Sequence, residues 1–421
     1  MRVPGNSRHR RYNQPRPPLP EAGHSHAHAH TPAQPASPRE RTLLIALLAP
    51  FVLATAVGLV LLYPTGDLPT SVNFSGIPIH GDITAAAEGS CLPPGEVEVG
   101  EPSGQRCLNV DIRLTEGAAA GDTISKTVPI QPDLPRFAVG DPVVLAFNGT
   151  DPTQAESYVL IDFQRGMPLL LLAGLFALAV LVLGRWQGAR ALVALALSFA
   201  VLALFILPAI LAGENPLLVG IVGAGVIMFA ALYFTHGMSV RTSVAVLGTM
   251  LSLALIGIIS ALFTTVTRLT GLGADTSTLV ASLGHGIDTR GLLLAGVVIG
   301  ALGVLDDVTV TQASAVWELR RANAALGWRE LYGAGLRIGR DHVASAVNTL
   351  VMAYAGAALP LLMYSAISGV GPGVILGSQD IAQEIVRTLA GSIGIVAAVP
   401  LTTVFAALIA SRQDMSQDTN G

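Results

Sequence analysis

The sequence predicts an α-helical integral membrane bundle of about eight transmembrane helices, with a small all-β extracytoplasmic domain inserted between helices 1 and 2. Three observations predict it. Charged residues make up only 12% of the 421-residue chain, about half the share of a soluble protein. Apolar runs near the roughly 20 residues that span a bilayer occur at 42–62 and seven more times between 168 and 410. Between the first run and the second, residues 64–165 change to the period-two alternation of half-buried strands.

The elements follow in order. Residues 1–40 hold Arg8, Arg10, Arg11 and Arg16, several prolines and the string His24-Ser-His26-Ala-His28-Ala-His30. Such a segment has no apolar core to bury and is predicted to be a disordered cytoplasmic tail. Neutral imidazoles at His24, His26, His28 and His30 suit Zn²⁺, Ni²⁺ or Cu²⁺. Without partner cysteines or fixed geometry they form only a weak metal candidate, and low-complexity drift is the simpler reading. Within residues 41–63, the run Leu43 to Leu62 follows directly on Arg39 and Arg41 and shows no small-residue cleavage site just beyond, so the segment is read as an uncleaved signal anchor.

In 64–165, Leu108, Val110, Ile112 and Leu114 alternate with Asn109, Asp111 and Arg113, the pattern of a strand with one buried face. Further strands are predicted at Val72–Ile79, Thr123–Ile130, Val143–Phe147 and Tyr158–Phe163, with turns at Gly140-Asp141-Pro142 and Asn148-Gly149. A small barrel or sandwich results. The chain's two cysteines, Cys91 and Cys107, both fall here. They are disulfide candidates if the domain meets an oxidising compartment, and free buried thiols otherwise.

The remaining spans read as 168–184, 190–212, 216–234, 241–266, 291–315, 343–366 and 385–410, making 166–411 a seven-helix domain with a short cytoplasmic tail at 412–421. Arg185 and Arg190, then Arg241, then Arg320, Arg321, Arg329, Arg337 and Arg340 fall in alternate loops, on the same side as the N-terminal tail. By the positive-inside rule both termini are cytoplasmic and 64–165 lies outside.

The residues most in need of explanation are Asp306 and Asp307, in Gly300-Ala-Leu-Gly303-Val-Leu-Asp306-Asp307-Val-Thr309-Val-Thr311-Gln312. Counted from Gly291, Asp306 lies about 22 Å along the helix, within a hydrocarbon core of about 30 Å. A carboxylate at the centre of a span costs roughly 2.5–3.5 kcal/mol on insertion scales. Asp307, Thr311 and Ser314 share one helical face and Asp306 pairs with Thr309 at i, i+3. One reading is a relay, since a desolvated carboxylate can take up and release a proton or hold a cation. The other is a shorter span, with both aspartates in cytoplasmic water near Arg320, Arg337 or Arg340. Ser345, Asn348 and Thr349 of the next span lie at comparable depth. In the last span Glu384 and Arg387 are either part of a transport route or an ordinary interfacial ion pair. The candidate transport or coupling residues are therefore Asp306, Asp307, Thr311, Asn348 and Glu384.

Glycines at 220/223/225, 296/300/303 and 391/394 read as close helix packing. Gly369-Val-Gly371-Pro-Gly373 lacks the lysine and the strand–helix context of a phosphate loop. Trp317–His342, rich in arginine, tryptophan and tyrosine, suits an interfacial helix. No nucleophilic motif is present, so the reading is a non-enzyme without cofactors, and a net charge of −4 speaks against a nucleic-acid partner.

The carboxy-terminal blocks resemble the YibE/F-like family of multi-pass membrane proteins. The resemblance rests on Gly291-Leu-Leu-Leu-Ala-Gly296 through Asp306-Asp307-Val, Ser314-Ala-Val-Trp-Glu318-Leu and Gly335-Leu-Arg-Ile-Gly339-Arg340-Asp341. It continues through Asn348-Thr-Leu-Val-Met-Ala-Tyr354-Ala-Gly356-Ala-Ala-Leu-Pro360 and Ile381-Ala-Gln-Glu384-Ile-Val-Arg387 to Pro400-Leu-Thr402. The family pattern has one aspartate in the sixth span, at the position of Asp307; Asp306 makes it a pair here. The resemblance implies a membrane protein, is compatible with a permease, and names no substrate.

Taken together, these readings point to a bacterial plasma-membrane permease for a small solute or ion, with lipid as its surroundings and an oligomeric state the sequence leaves open. A scaffold or sensor with a ligand-binding outer domain is the alternative, as is the membrane subunit of an ATPase-driven transporter docking its partner on 317–342.

Overall fold

The computed structural model describes residues 38–64, 76–91, 106–131, 135–149, 151–273, 277, 280, 286–367 and 369–413. The histidine string and residues 72–75 of the first predicted strand lie outside them. The described chain runs α1 (Pro38–Leu61), five strands, then α2 (Gly166–Val201), α3 (Leu207–Leu211), α4 (Pro216–His236), α5 (Val240–Val266), α6 (Thr289–Ala322), α7 (Trp328–Ala357), α8 (Leu359–Ile367), α9 (Pro372–Leu376) and α10 (Gln379–Ala410).

The strands β1 (Ile77–Gly89), β2 (Cys107–Leu114), β3 (Thr123–Pro129), β4 (Pro142–Phe147) and β5 (Tyr158–Phe163) form one antiparallel sheet in the order β3-β2-β1-β4-β5. Central β1 serves both halves. Its first residues pair with β4 and its later ones with β2, and a bulge between Ile83 and Ala85 breaks the register, bending the strand as bulges do. Val110, Ile112 and Leu114 face a core with Ile83, Val143, Leu145 and Tyr158. On the opposite face of β2, Asp111 accepts from Ser125 Oγ at 2.6 Å and Asn109 from Thr127 Oγ1 at 2.8 Å. β1 extends ten residues past the predicted strand end. Gly81, Ala85, Ala86, Ala87 and Gly89 carry little strand propensity, but a Cβ at Gly81 would lie 2.7 Å from Ile112 Cγ2, so the crossing needs a small residue.

Gly89 pairs with Cys107, and Cys91, two residues on, is joined to Cys107 by a disulfide spanning 16 residues. Closing such a loop stabilises by about 3 kcal/mol in the chain-entropy model. Replacing both cysteines with serine is expected to raise amide exchange across β1 and β2 while leaving the helices unchanged, as hydrogen-exchange mass spectrometry would read.

Among the described residues, six helices are long and apolar enough to cross a membrane, or seven if the pair α7 and α8, bent by 58°, is one span. One of the six, Gly166–Leu211, is 46 residues long, about 69 Å if continuous. It is not continuous. Arg185 leaves the helical region at φ 49°, ψ −125°, and a Cβ on Gly188 would collide with the Val180 carbonyl. Residues eight apart on a straight helix are about 12 Å apart, so the chain turns back on itself at Arg185. Past Val201 a π-turn, with Leu207 N–H donating to Leu202 O, leads into Pro208. Proline has no N–H to give the preceding turn, and a π-turn is a common accommodation in a helix.

Short caps set the other boundaries. Asn215 accepts from Leu218 N–H, Ser239 from Thr242 N–H and Asp288 from Gly291 N–H, satisfying orphan donors at three helix starts. Helices α5, α6 and α10 pack against one another, with α7 on α6 and α10, and α4 on α6. Glycines permit several of these approaches: a Cβ at Gly220 would lie 2.7 Å from Ala295 Cβ, one at Gly225 2.7 Å from Thr55 Oγ1, and one at Gly394 would collide with Ile256.

The stretch read as an interfacial helix is organised differently. α6 continues to Ala322 and α7 begins at Trp328. Trp317 and Leu331 are buried with Val244, Val316 and Ala406, and Trp317 Nε1 donates to Gln413 Oε1 at 3.0 Å. Trp317 and Leu331, which suited the lipid interface, are buried in the bundle instead, while Trp328, beneath the Arg329 guanidinium, and Ile338 stay exposed.

Candidate functional site: the polar seam of α6

Along its C-terminal half, α6 carries polar side chains on more than one face. The best-satisfied is Gln312, 2% exposed. Its Nε2 donates to Gly335 O of α7 at 2.8 Å and to Thr403 Oγ1 of α10 at 2.7 Å, and the Thr403 hydroxyl donates to Val399 O at 2.5 Å. The absence of side chains at Gly335 and Gly339 makes room: a Cβ at Gly339 would lie 2.6 Å from Gln312 Oε1. One turn nearer the N-terminus of α6, Thr309 and Thr249 of α5 share a hydrogen bond at 2.8 Å, both fully buried. One amide and three hydroxyls thus latch α5, α6, α7 and α10. Inter-helical hydrogen bonds in membranes average about 0.6 kcal/mol each. Gln312→Leu, which loses two of them, is expected to cost about 1 kcal/mol and lower the melting temperature of the purified full chain.

Asp306 precedes Thr309 by one turn, and Thr309 Oγ1 makes a long bond to its backbone carbonyl at 3.3 Å. Its side chain is mostly buried; Oδ1 is shielded from solvent and accepts no hydrogen bond. Among the described residues, no Arg, Lys or His lies within ion-pair distance of it. Asp307, 100° further round the helix, is exposed, while Thr311 and Ser314 on its face are partly buried. The two aspartates therefore occupy different environments.

The other candidates do not converge on Asp306. Ser345, Asn348 and Thr349 are exposed on α7, whose opposite face buries Leu350 against α10. Glu384 lies in the first turns of α10 and pairs with Arg387 at 2.8 Å, both side chains about one-quarter exposed. The Arg387 guanidinium reaches the bare face of α6, with Nη2 3.9 Å from where a Cβ on Gly296 would lie, and the Tyr354 hydroxyl packs on Gly300. This cluster, near the N-terminal end of α6, and Asp306 are separated by roughly 10 residues of α6, about 15 Å.

Sequence reasoning missed Gln312, Thr403 and Thr249 as a unit. A glutamine within an apolar run was the available signal. Its partners lie 23 and 91 positions away, which spacing along one helix does not reveal. Among the described residues no group of three His, Cys, Asp or Glu could hold a metal ion.

Long apolar helices with polar side chains latched between them, as here, define a multi-pass integral membrane protein. Residues 172–412, more than half the chain, match the family model described as YibE/F-like protein, and the chain belongs to that family. Neither the curated proteins nor the solved structures gave a match.

Proposed function

We propose that this chain is a permease of the bacterial plasma membrane for a small solute or ion, without enzymatic activity, in which Asp306 is the coupling carboxylate. The supporting observation is the Asp306 oxygen that is shielded from solvent and lacks any donor or cation. A carboxylate oxygen buried without a partner is costly, and a passing cation or proton supplies the missing one. Intramembrane ionisable residues commonly mark such pathways. The Glu384–Arg387 pair, beside Tyr354 in the outer half of the bundle, is a polar station on the same route.

The proposed topology has eight crossings, counting the reversal at Arg185 as two and the bent α7–α8 pair as one. Both termini are cytoplasmic and the β domain is outside, in keeping with the arginine-rich loops. The test is reconstitution of the full chain in proteoliposomes and measurement of flux over a panel of cations and small organic solutes. A gradient-dependent flux of at least one is expected. The second reading, a sensor, is favoured by the separate core and disulfide of the β domain. It predicts no flux for any solute and loss of function on deleting 66–163.

A further inference from the structure

We infer that Arg387, Glu384 and Tyr354 form the binding site for a small zwitterion of the amino-acid type. Its carboxylate is held by Arg387 and Tyr354, and its ammonium by Glu384. The binding follows from the geometry of these three side chains; the solute's onward route rests on the permease reading.

Arg387 lies eight residues past Gln379, the start of α10, about 12 Å along the helix. Only part of its guanidinium is used. Nη1 donates to Glu384 Oε1 at 2.8 Å. Nε is shielded from solvent and has no partner, and Nη2 donates no hydrogen bond among the described residues. The Tyr354 hydroxyl of α7 makes none there either, and both charges of the pair are near enough to act on it electrostatically. Glu384 spends Oε1 on Arg387 and leaves Oε2 without a hydrogen bond among the described residues.

The floor beneath these groups is bare. Gly296 and Gly300 are one turn apart on one face of α6, and both are exposed. Apart from its neighbours in α6, a Cβ on Gly296 would meet only Arg387 Nη2 within 4 Å, and one on Gly300 would meet only the end of the Tyr354 ring. Three unengaged donors and one unengaged acceptor therefore border a single open patch.

This set of groups selects a ligand by charge. Hydrocarbon offers none of them a partner. The Nε–Nη2 edge of a guanidinium matches a carboxylate with two parallel hydrogen bonds, and the tyrosine hydroxyl supplies a third donor. A plain anion is repelled by Glu384 and a plain cation by Arg387. A solute carrying both charges a few bonds apart meets an opposite charge at each end and leaves the site neutral.

The test is isothermal titration of the full chain, in detergent and in phosphatidylglycerol nanodiscs. The probes are L-alanine, propionate, which lacks the ammonium, and ethylamine, which lacks the carboxylate. Alanine is expected to bind at least about tenfold more tightly than either fragment. Arg387→Lys keeps the charge but loses the fork, and alanine affinity should fall at least about tenfold. Tyr354→Phe removes no hydrogen bond made among the described residues, so it should melt with the parent chain yet bind alanine roughly fivefold more weakly. Glu384→Gln should reverse the preference, weakening alanine and strengthening propionate, which a pair with a merely structural role would not do.

The inference is overturned by a folded parent chain that does not bind alanine, or binds it no better than the fragments. It is equally overturned by Tyr354→Phe and Glu384→Gln variants that bind all three probes as the parent does. Binding in detergent that vanishes in the nanodiscs would also overturn it, because a lipid phosphate then occupies Arg387. Titration reads binding rather than flux, so the two readings fail separately. Alanine bound without flux keeps the site and removes the permease; flux of another solute without alanine binding does the reverse.

Discussion

Asp306→Asn is expected to abolish flux in proteoliposomes without harming the fold. Asparagine has nearly the same shape, and the Oδ1 it replaces accepts no hydrogen bond, so no native contact is lost. A neutral amide is also cheaper to bury than an ionised carboxylate, so the melting temperature should hold or rise. Flux should fall at least a hundredfold, equivalent to about 2.7 kcal/mol in the barrier, because an amide can neither exchange a proton nor neutralise a cation. Asp307→Asn, at an exposed position on another face, should change flux far less. Paired flux and melting measurements on the two variants check this. Equal flux for Asp306→Asn and the parent chain would remove Asp306 from the mechanism.

The second large effect is expected at Gly188. Its missing side chain faces the Val180 carbonyl, a backbone group that cannot swing aside. Gly188→Val therefore has to open the reversal at Arg185, and overpacking of this kind costs about 1–3 kcal/mol or more. Little folded protein should be recovered from membranes, and what remains should melt early. Gly184→Ala is the control: nothing lies within 4 Å of a Cβ there, and it is expected to be neutral. Normal yield and melting of Gly188→Val would mean that the chain does not turn where the geometry has it turn.

Much of this architecture was legible in the residue order, for reasons that differ by element. The apolar runs announce helices because lipid leaves the backbone few alternatives. The alternation from Leu108 to Leu114 announces β2 because its period is unambiguous. The far half of β1 was hidden, since Ala85, Ala86, Ala87 and Gly89 carry little strand propensity and look like a loop. The segment from Trp317 to His342 showed its aromatic and basic content but not the pocket that buries Trp317 and Leu331. At the site, spacing put Asp306 and Asp307 on adjacent faces of one helix; which face meets protein depends on the packing of α4, α5 and α7, information that no single helix contains. The same limit hid the Gln312 latch, whose acceptor is a backbone carbonyl exposed by a glycine.

The most direct test of the central claim is carbodiimide labelling of the full chain in native membranes, read by peptide mass spectrometry. An apolar carbodiimide that partitions into the bilayer is expected to modify Asp306, while a water-soluble one modifies Asp307 and leaves Asp306 intact. Modification of Asp306 by the water-soluble reagent, to the same extent as Asp307, would contradict the account.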